Sequence, residues 1–317
     1  MTSRPDLTLR AWDWLLRRWW PPIDQMSLDQ IRRVRDMRVP HNPVTDLLFG
    51  AVARDVSVQD RTVRITDWDV PLQVHRPHSA GEHPVVVWFH GGGWVVGNIY
   101  HTEWLKSHVA SRVGAVVVSA GYRLAPEHPF PTAVNDAYDG VVWIAEHADE
   151  LGGSADHLAV IGASAGGNLA AVVCQRARDE GGPRIAQQIL LYPSTDMSPE
   201  SRPPRLLDDA PMLRLADRKA YFMHYTGGVA DVRDPRLSPG LAEDLSGLPP
   251  ALIITAEHDP LRDEARRYAE RLRAHGTPVR YSDYAGMVHG FLSYPGLASG
   301  ARQALAEICH WIRDGLA

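Results

Sequence analysis

The feature that most constrains the fold is a regular alternation, from residue 84 onward, of short apolar runs and amphipathic helical stretches. The runs are rich in β-branched residues and too short for helices, whereas the stretches between them repeat apolar residues at the helical spacing. Apolar strands separated by such helices predict an α/β fold with a mostly parallel central sheet flanked by helices. The predicted strands are Val85–Phe89, Ala115–Ser119, Leu158–Gly162, Gln188–Tyr192, Ala251–Thr255 and Val279–Tyr284.

Three segments depart from this rhythm. Residues 1–45 are helical in pattern and rich in aromatics, residues 51–76 alternate as strands do, and residues 196–249 are rich in proline and charge. An insertion of the last kind usually lies over the carboxyl ends of the strands, where ligands bind. We therefore expect one catalytic unit of residues 46–195 and 250–317, with a helical cap built from residues 1–45 and 196–249.

The charge and apolar patterns exclude several classes of protein. The net charge of the 317 residues is only −5 and the basic residues are scattered, so nothing points to nucleic acid or to an anionic membrane. No apolar stretch of about 18 residues and no signal peptide is present, which predicts a cytoplasmic protein without stable membrane insertion. Cys174 and Cys309 lie in apolar helical contexts and are expected to be buried thiols. Most histidines lie in polar or proline-rich contexts and are expected to be solvated.

The segment Gly-Ala-Ser-Ala-Gly, centred on Ser164, follows one predicted strand and precedes a helix. This arrangement fits the turn that presents a nucleophilic serine, in which small neighbours permit strained backbone angles and close chain approach. A dinucleotide-binding loop would need a different glycine spacing. A short-chain dehydrogenase would need a tyrosine four residues before a lysine, but the residues four before Lys106 and Lys219 are Thr102 and Leu215.

A second glycine-rich segment, His90-Gly-Gly-Gly-Trp94, follows the apolar run Val85–Phe89. Consecutive glycines after a buried strand leave main-chain N–H groups accessible, as the binding of an oxyanion requires. We expect His90 to brace this loop through hydrogen bonds rather than to transfer protons.

A nucleophilic serine also needs a base and an acid that orients the base, and in this type of fold they follow the serine in the order acid, then histidine. Asp259 and His289 occur in that order, each near the carboxyl end of a predicted strand. His258 and Asp263 are the neighbours most easily confused with the acid, and Glu257 is expected to be structural.

Together these segments resemble the hormone-sensitive lipase (family IV) branch of the α/β-hydrolases, which includes bacterial esterases. The matching segments are HGGGWVVG, YRLAPEHPFPTAVNDAY, GASAGGNLA, LLYPSTD, LSGLPPALIITAEHDPLRDEA and YAGMVHGF. The resemblance implies a catalytic Ser164, Asp259 and His289, and an oxyanion hole formed by Gly91, Gly92, Gly93 and Ala165. It also implies a helical cap on an α/β-hydrolase fold. Ala163 departs from the family, which more often has an acidic residue at this position.

The function expected from these residues is a serine carboxylesterase that forms an acyl-enzyme and needs no metal or cofactor. An amidase, lactonase or deacylase using the same serine stays open, as does a non-catalytic ligand-binding protein on the same fold. Aromatic residues of the cap favour a compact pocket for short to medium acyl chains. The residues expected to line it are Trp94, Trp19, Trp20, Met212, Tyr221, Phe222 and Tyr225. A monomer or a homodimer fits equally well; the strand Val279–Tyr284, if it forms the sheet edge, could pair in a dimer.

Overall fold

The apolar runs of the sequence form one eight-stranded sheet in a computed structural model, which describes residues 4–19, 21–201 and 207–315. The strand order is β1-β2-β4-β3-β5-β6-β7-β8; β1 pairs antiparallel with β2 and β2 with β4, and all later pairs are parallel. The strands are β1 (Val56–Ile65), β2 (Trp68–Pro77), β3 (Pro84–Phe89), β4 (Val116–Ala120), β5 (Ser154–Ala163), β6 (Ile185–Leu191), β7 (Ala251–His258) and β8 (Val279–Val288). The mostly parallel α/β fold expected from the sequence is confirmed.

Ten α-helices occur in the described part of the chain, and those between strands cover both faces of the sheet. They are α1 (Leu7–Trp19), α2 (Leu28–Arg35), α3 (Pro43–Phe49), α4 (Glu103–Val113), α5 (Thr132–Glu146), α6 (Ala148–Leu151), α7 (Ala165–Glu180), α8 (Leu215–Thr226), α9 (Arg262–Ala274) and α10 (Ala301–Asp314).

The central strand β3 shows why these runs are apolar at every position. Val85, Val87 and Phe89 pack into the core formed with α5, α7 and α9, whereas Val86 and Trp88 pack into the core formed with α4 and α10. Successive side chains of a strand point to opposite faces, so a strand buried on both sides must be apolar throughout.

Several strands are longer than the sequence pattern predicts, and β5 and β8 are extended most. β5 begins at Ser154 rather than at residue 158, and β8 continues to Val288 rather than ending at Tyr284. The pairing of β7 with β8 shifts register after Ala256, and beyond the shift His258 pairs with Val288. β8 therefore stays in the sheet as far as Val288. His289 therefore follows the strand directly. Within the described sheet β8 is an edge strand.

The N-terminal helices and the segment after β6 contact each other. The N–H of Met212 donates to Asp13 Oδ1 of α1 at 2.8 Å, and Arg17 pairs with Asp209 at 2.6 Å. Arg35 of α2 is held against the main body by Glu127, at 2.9 Å. α1 and the insertion are thus joined by polar contacts, and α2 is fixed to the sheet domain.

Candidate active site

Ser164 lies at the junction between β5 and α7, on a backbone that serine rarely adopts. Its φ and ψ are 56° and −116°, outside the favoured regions for a residue with a side chain. The N–H of Ser164 donates to Leu191 O of β6 at 2.9 Å, which ties the turn to the neighbouring strand. Strain of this kind persists only where the surroundings hold it, and it clusters at functional sites.

The glycines around Ser164 are required by the close approach of main chains. A Cβ on Gly162 would lie 2.0 Å from the carbonyl oxygen of Gly166, and a Cβ on Gly166 would lie 2.2 Å from Phe89 O. Both contacts are with backbone atoms, which cannot move aside as a flexible side chain could. The small residues of the GASAG segment therefore bring β3, β5 and the first turn of α7 together.

Ser164, His289 and Asp259 form one chain of hydrogen bonds. The Ser164 Oγ lies 2.9 Å from His289 Nε2, and His289 Nδ1 lies 2.7 Å from Asp259 Oδ2. Asp259 is fully buried, and its other oxygen accepts the N–H of Leu261 at 2.8 Å. Because Asp259 follows β7 and His289 follows β8, the parallel sheet brings both to the edge where β5 ends. A serine, a histidine and a buried carboxylate so arranged can activate a hydroxyl as a nucleophile.

The glycine loop after β3 lies directly against Ser164. A Cβ on Gly91 would be 3.3 Å from Ser164 Cβ, and Gly92 has a φ of +118° that other residues rarely adopt. Among the residues that the structure describes, no acceptor bonds the N–H groups of Gly92, Gly93 or Ala165. Ala165 is the first residue of α7, so its N–H belongs to the positive end of the helix dipole. These groups can donate to an oxygen that becomes negatively charged beside Ser164.

His90 supports this loop from behind. Its Nδ1 donates to Gly91 O at 2.8 Å, and its ring stacks on Tyr122 at 4.3 Å between ring centres. Burial lowers the pKa of His90 to about 3, so the ring is neutral at physiological pH. The bracing contact expected from the sequence is present.

A cavity of about 200 Å³ lies at Ser164 and His289. Three of the aromatic and apolar residues expected in its walls are there: Trp94, Met212 and Tyr221. Ala163 also lines it, at the end of β5, so the methyl group that replaces the family's acid faces a largely apolar wall.

The other expected pocket residues lie elsewhere. The Trp19 prediction is wrong, since its side chain is 75% exposed at the end of α1, and Trp20 lies outside the described residues. Phe222 packs against the core rather than lining the cavity. Tyr225 is fully buried behind the wall, where its ring stacks on Trp94 at 4.5 Å. A helical pattern shows which residues are apolar but not which face of the helix meets the cavity.

Several wall residues have no clear signal in the sequence. The clearest case is Arg218 of α8, which lines the cavity and pairs with the fully buried Glu264 of α9 at 2.5 Å. Glu264 also accepts the N–H of Thr195 at 2.9 Å, and burial raises its pKa to about 7. Arg218, Glu264 and Thr195 lie in three separate segments, so the spacing of residues along the chain does not predict that they interact.

His75 and His83 are exceptions to the expectation that most histidines are solvated, and Lys106 is a buried cation that the sequence did not single out. Lys106 of α4 is fully buried and donates to Gln73 Oε1 at 2.8 Å and to Ile99 O. His75 and His83 are buried as well. Burial lowers the pKa of Lys106 from 10.5 to about 7. The sequence pattern did not predict this burial, because it does not show that α4, which carries Lys106, packs against β2, which carries Gln73.

The stability of the protein should rise with pH because of Lys106. Between its folded pKa of about 7 and its unfolded pKa of 10.5, the unfolded chain holds a proton that the folded chain has released. Each pH unit in that window then favours the folded state by about 1.4 kcal/mol. The free energy of unfolding, measured in urea, should rise by roughly 2 kcal/mol more in the native chain than in Lys106→Met over about 1.5 pH units above neutrality. Parallel pH profiles for the two proteins would contradict the assignment.

Among the described residues, no group of three or more His, Cys, Asp or Glu side chains is placed where it could hold a metal ion. Nor does any described helix have the length and apolarity needed to cross a membrane. Both cysteines are buried and unpaired.

Comparison with known proteins assigns the class. A family profile describing the alpha/beta hydrolase fold matches residues 86–293. The carboxylic ester hydrolase LipN of Mycobacterium tuberculosis is 43% identical over 267 residues, covering 82% of this chain and 71% of LipN. The ethyl acetate hydrolase of Pseudomonas putida is 33% identical over 302 residues, covering 93% and 92%. The crystal structure of a thermostable esterase from Pseudomonas putida ECU1011 superposes with a TM-score of 0.87 at 32% identity, covering 100% and 99%.

The chain therefore belongs to the α/β-hydrolase family, in the hormone-sensitive lipase branch that its segments resemble. Within that family it is a carboxylic ester hydrolase, like its relatives. A non-catalytic binding protein on the same fold, which the sequence left open, is not retained.

Proposed function

We propose that this enzyme hydrolyses short- to medium-chain carboxylic esters through an acyl-enzyme on Ser164, with His289 as the base and Asp259 as its orienting acid. The observation that carries the proposal is the continuous chain from Ser164 Oγ to His289 Nε2 at 2.9 Å and from His289 Nδ1 to Asp259 Oδ2 at 2.7 Å.

In the first half of the reaction, His289 Nε2 takes the Ser164 proton while Oγ bonds to the ester carbonyl carbon. The tetrahedral intermediate collapses when His289 returns the proton to the leaving alcohol oxygen, which breaks the ester bond. In the second half, water loses a proton to His289 and attacks the acyl-enzyme, and Ser164 regains a proton as the acid leaves. Asp259 fixes the imidazole tautomer and stabilises imidazolium in both halves.

The intermediate's negative oxygen is assigned to the N–H groups of the Gly91–Gly93 loop and of Ala165. These donors are fixed in place before the substrate arrives, and one such donor typically contributes about 3 kcal/mol to the lowering of the barrier. The support is that the loop lies against Ser164 and that Ala165 begins α7.

The preference for short to medium acyl chains is supported by the size of the cavity at Ser164, about 200 Å³, and by the walls formed by Trp94 and Tyr221. One relative, the ethyl acetate hydrolase, is named for a short ester. We further propose that residues 1–45 and 196–249 act as a cap over the catalytic unit of residues 46–195 and 250–317. The contacts of α1 with Met212 and Asp209 support this division.

Covalent labelling tests the nucleophile directly. Incubation with a fluorophosphonate should add one phosphonyl group per chain, abolish hydrolysis of a p-nitrophenyl ester, and place the adduct on Ser164 after proteolysis and mass spectrometry. Ser194 and Ser293 line the same cavity and serve as internal controls that should stay unmodified. Inactivation with the adduct on either of them would overturn the proposal.

A further inference from the structure

The outward face of α1 carries large apolar side chains that are exposed to solvent. Leu7 is 73% exposed, Trp14 is 64% exposed and Trp19 is 75% exposed, with Leu15 beside them at 39%. The opposite face holds the helix in place, since Leu9 is fully buried. α1 is thus fixed to the protein on one side and apolar toward solvent on the other.

The same outward face is cationic. Arg10 and Arg18 belong to it, and the Arg18 guanidinium lies 5.8 Å from the centre of the Trp14 ring. The only acid of α1, Asp13, is turned inward, where it pairs with Arg17 at 2.8 Å and accepts the N–H of Met212. Within the described chain, no carboxylate pairs with Arg10 or Arg18.

The asymmetry extends to the whole N-terminal segment. The first 50 residues contain eight arginines, six aspartates and neither lysine nor glutamate, a net charge of +2, so the remainder of the −5 chain carries −7. Of the twelve large apolar side chains exposed among the described residues, nine lie between Leu7 and Leu47. The basic residues of the whole chain are scattered, but exposed apolar surface and a net positive charge coincide on this N-terminal segment.

This segment also borders a second cavity, of about 390 Å³, next to the catalytic one. Trp12 of α1 lines it from within, and the exposed Met37 and Val39 line it at its opening. Its wall shares His101, Thr102 and Ser293 with the cavity at Ser164. Part of the exposed apolar surface, at Met37 and Val39, thus borders a cavity that adjoins the site.

We propose that this surface docks peripherally on a lipid bilayer with anionic headgroups. α1 lies in the plane of the interface, with Leu7, Trp14 and Leu15 at the boundary between headgroups and acyl chains and with Arg10 and Arg18 against the phosphates. A helix with tryptophan and leucine on one face, flanked by arginine, is suited to that boundary. No helix spans the bilayer in this arrangement.

Charge decides between a membrane and a second copy of the chain. A twofold contact through this face would bring its unpaired arginines together without an acid to accept them, whereas anionic phosphates neutralise them. Docking would place the second cavity beside the lipid, from where a lipophilic ester could reach Ser164. That delivery rests on the proposed function, whereas the docking itself is independent of it.

Vesicle co-sedimentation tests the proposal on the full chain carrying Ser164→Ala, so that binding is measured without hydrolysis. The protein should bind vesicles of equimolar phosphatidylglycerol and phosphatidylcholine, bind pure phosphatidylcholine more weakly, and release as salt is raised. The variant Leu7→Gln/Trp14→Gln/Leu15→Gln should lose affinity by about tenfold or more, and Arg10→Gln/Arg18→Gln should lose the preference for anionic lipid. The matched control is Met223→Gln/Val229→Gln, which removes exposed apolar side chains outside the N-terminal segment and should bind normally.

The two α1 variants and the control variant are also made in the active chain, without Ser164→Ala. Each should keep the native circular dichroism spectrum and the native rate of hydrolysis of a water-soluble ester, because the substituted side chains point outward. Absence of binding to anionic vesicles would overturn the proposal, as would equal binding by the triple variant. A concentration-dependent dimer that the triple variant dissolves would assign the face to a second copy instead. If the native chain did not hydrolyse a soluble ester, that result would contradict the proposed function and leave the docking proposal unaffected.

Discussion

Ser164→Ala is expected to lower kcat for a soluble p-nitrophenyl ester by about 10⁶-fold, to a level set by binding and oxyanion contacts alone. Alanine fits the turn without adding atoms, although it must adopt the same φ of 56°. The loss should therefore appear in kcat with an unchanged fold, measured by steady-state kinetics together with circular dichroism. The size of the effect follows from the removal of the atom that is proposed to form the acyl bond.

The matched control is Ser293→Ala, which removes a second hydroxyl from the wall of the same cavity. We expect it to change kcat by less than about tenfold, because a wall hydroxyl forms no bond to the acyl group. If Ser164→Ala kept a tenth or more of the native rate, Ser164 would not be the nucleophile.

Asp259→Asn is expected to lower kcat by about 10⁴-fold while preserving the packing of the site. Asp259 accepts two N–H groups, one from His289 Nδ1 at 2.7 Å and one from Leu261 at 2.8 Å. An asparagine has one acceptor oxygen and an amide that donates, so it cannot satisfy both. If the amide faces His289, the ring must carry its proton on Nε2, where it can no longer accept the proton of Ser164.

Asp263→Asn is the appropriate control, since it makes the same change four residues along in a carboxylate that pairs with Arg262 at 3.1 Å and not with His289. Its kcat should stay within a few-fold of the native value. Equal losses in both variants, or a native rate in Asp259→Asn, would show that Asp259 does not orient the base. Both variants are compared with the native chain at several pH values.

The parts of the site that sequence predicts best are those whose chemistry needs particular residues at fixed local spacing. The segments around Ser164 and Gly91–Gly93 combine glycines, a preceding strand and a following turn, so their local geometry is encoded within a few residues. Asp259 and His289 could be placed because parallel strands bring their carboxyl ends to one edge of a sheet. The order of β3, β5, β6, β7 and β8 in the structure confirms that arrangement.

The parts that sequence predicts poorly depend on how separate segments meet. Trp19 and Trp94 are both aromatic, yet one is exposed at the end of α1 and the other stacks on Tyr225 beside the cavity. The buried Lys106 donates to Gln73, which is 33 residues away in another element. A helical or polar pattern gives the identity of a side chain but not the partner across the fold, so contacts of this kind cannot be derived from local spacing.

The sequence by itself therefore determined the fold class and the order of the chemical groups, because hydrophobic periodicity and turn chemistry are local properties of the chain. Only the tertiary structure decided the 2.9 Å and 2.7 Å contacts of His289, the pairing of Arg218 with Glu264, and which side chains of α1 are buried or exposed. Those features arise when residues far apart in sequence pack together. The free energy of that packing comes from many contacts between segments, so no single segment determines it.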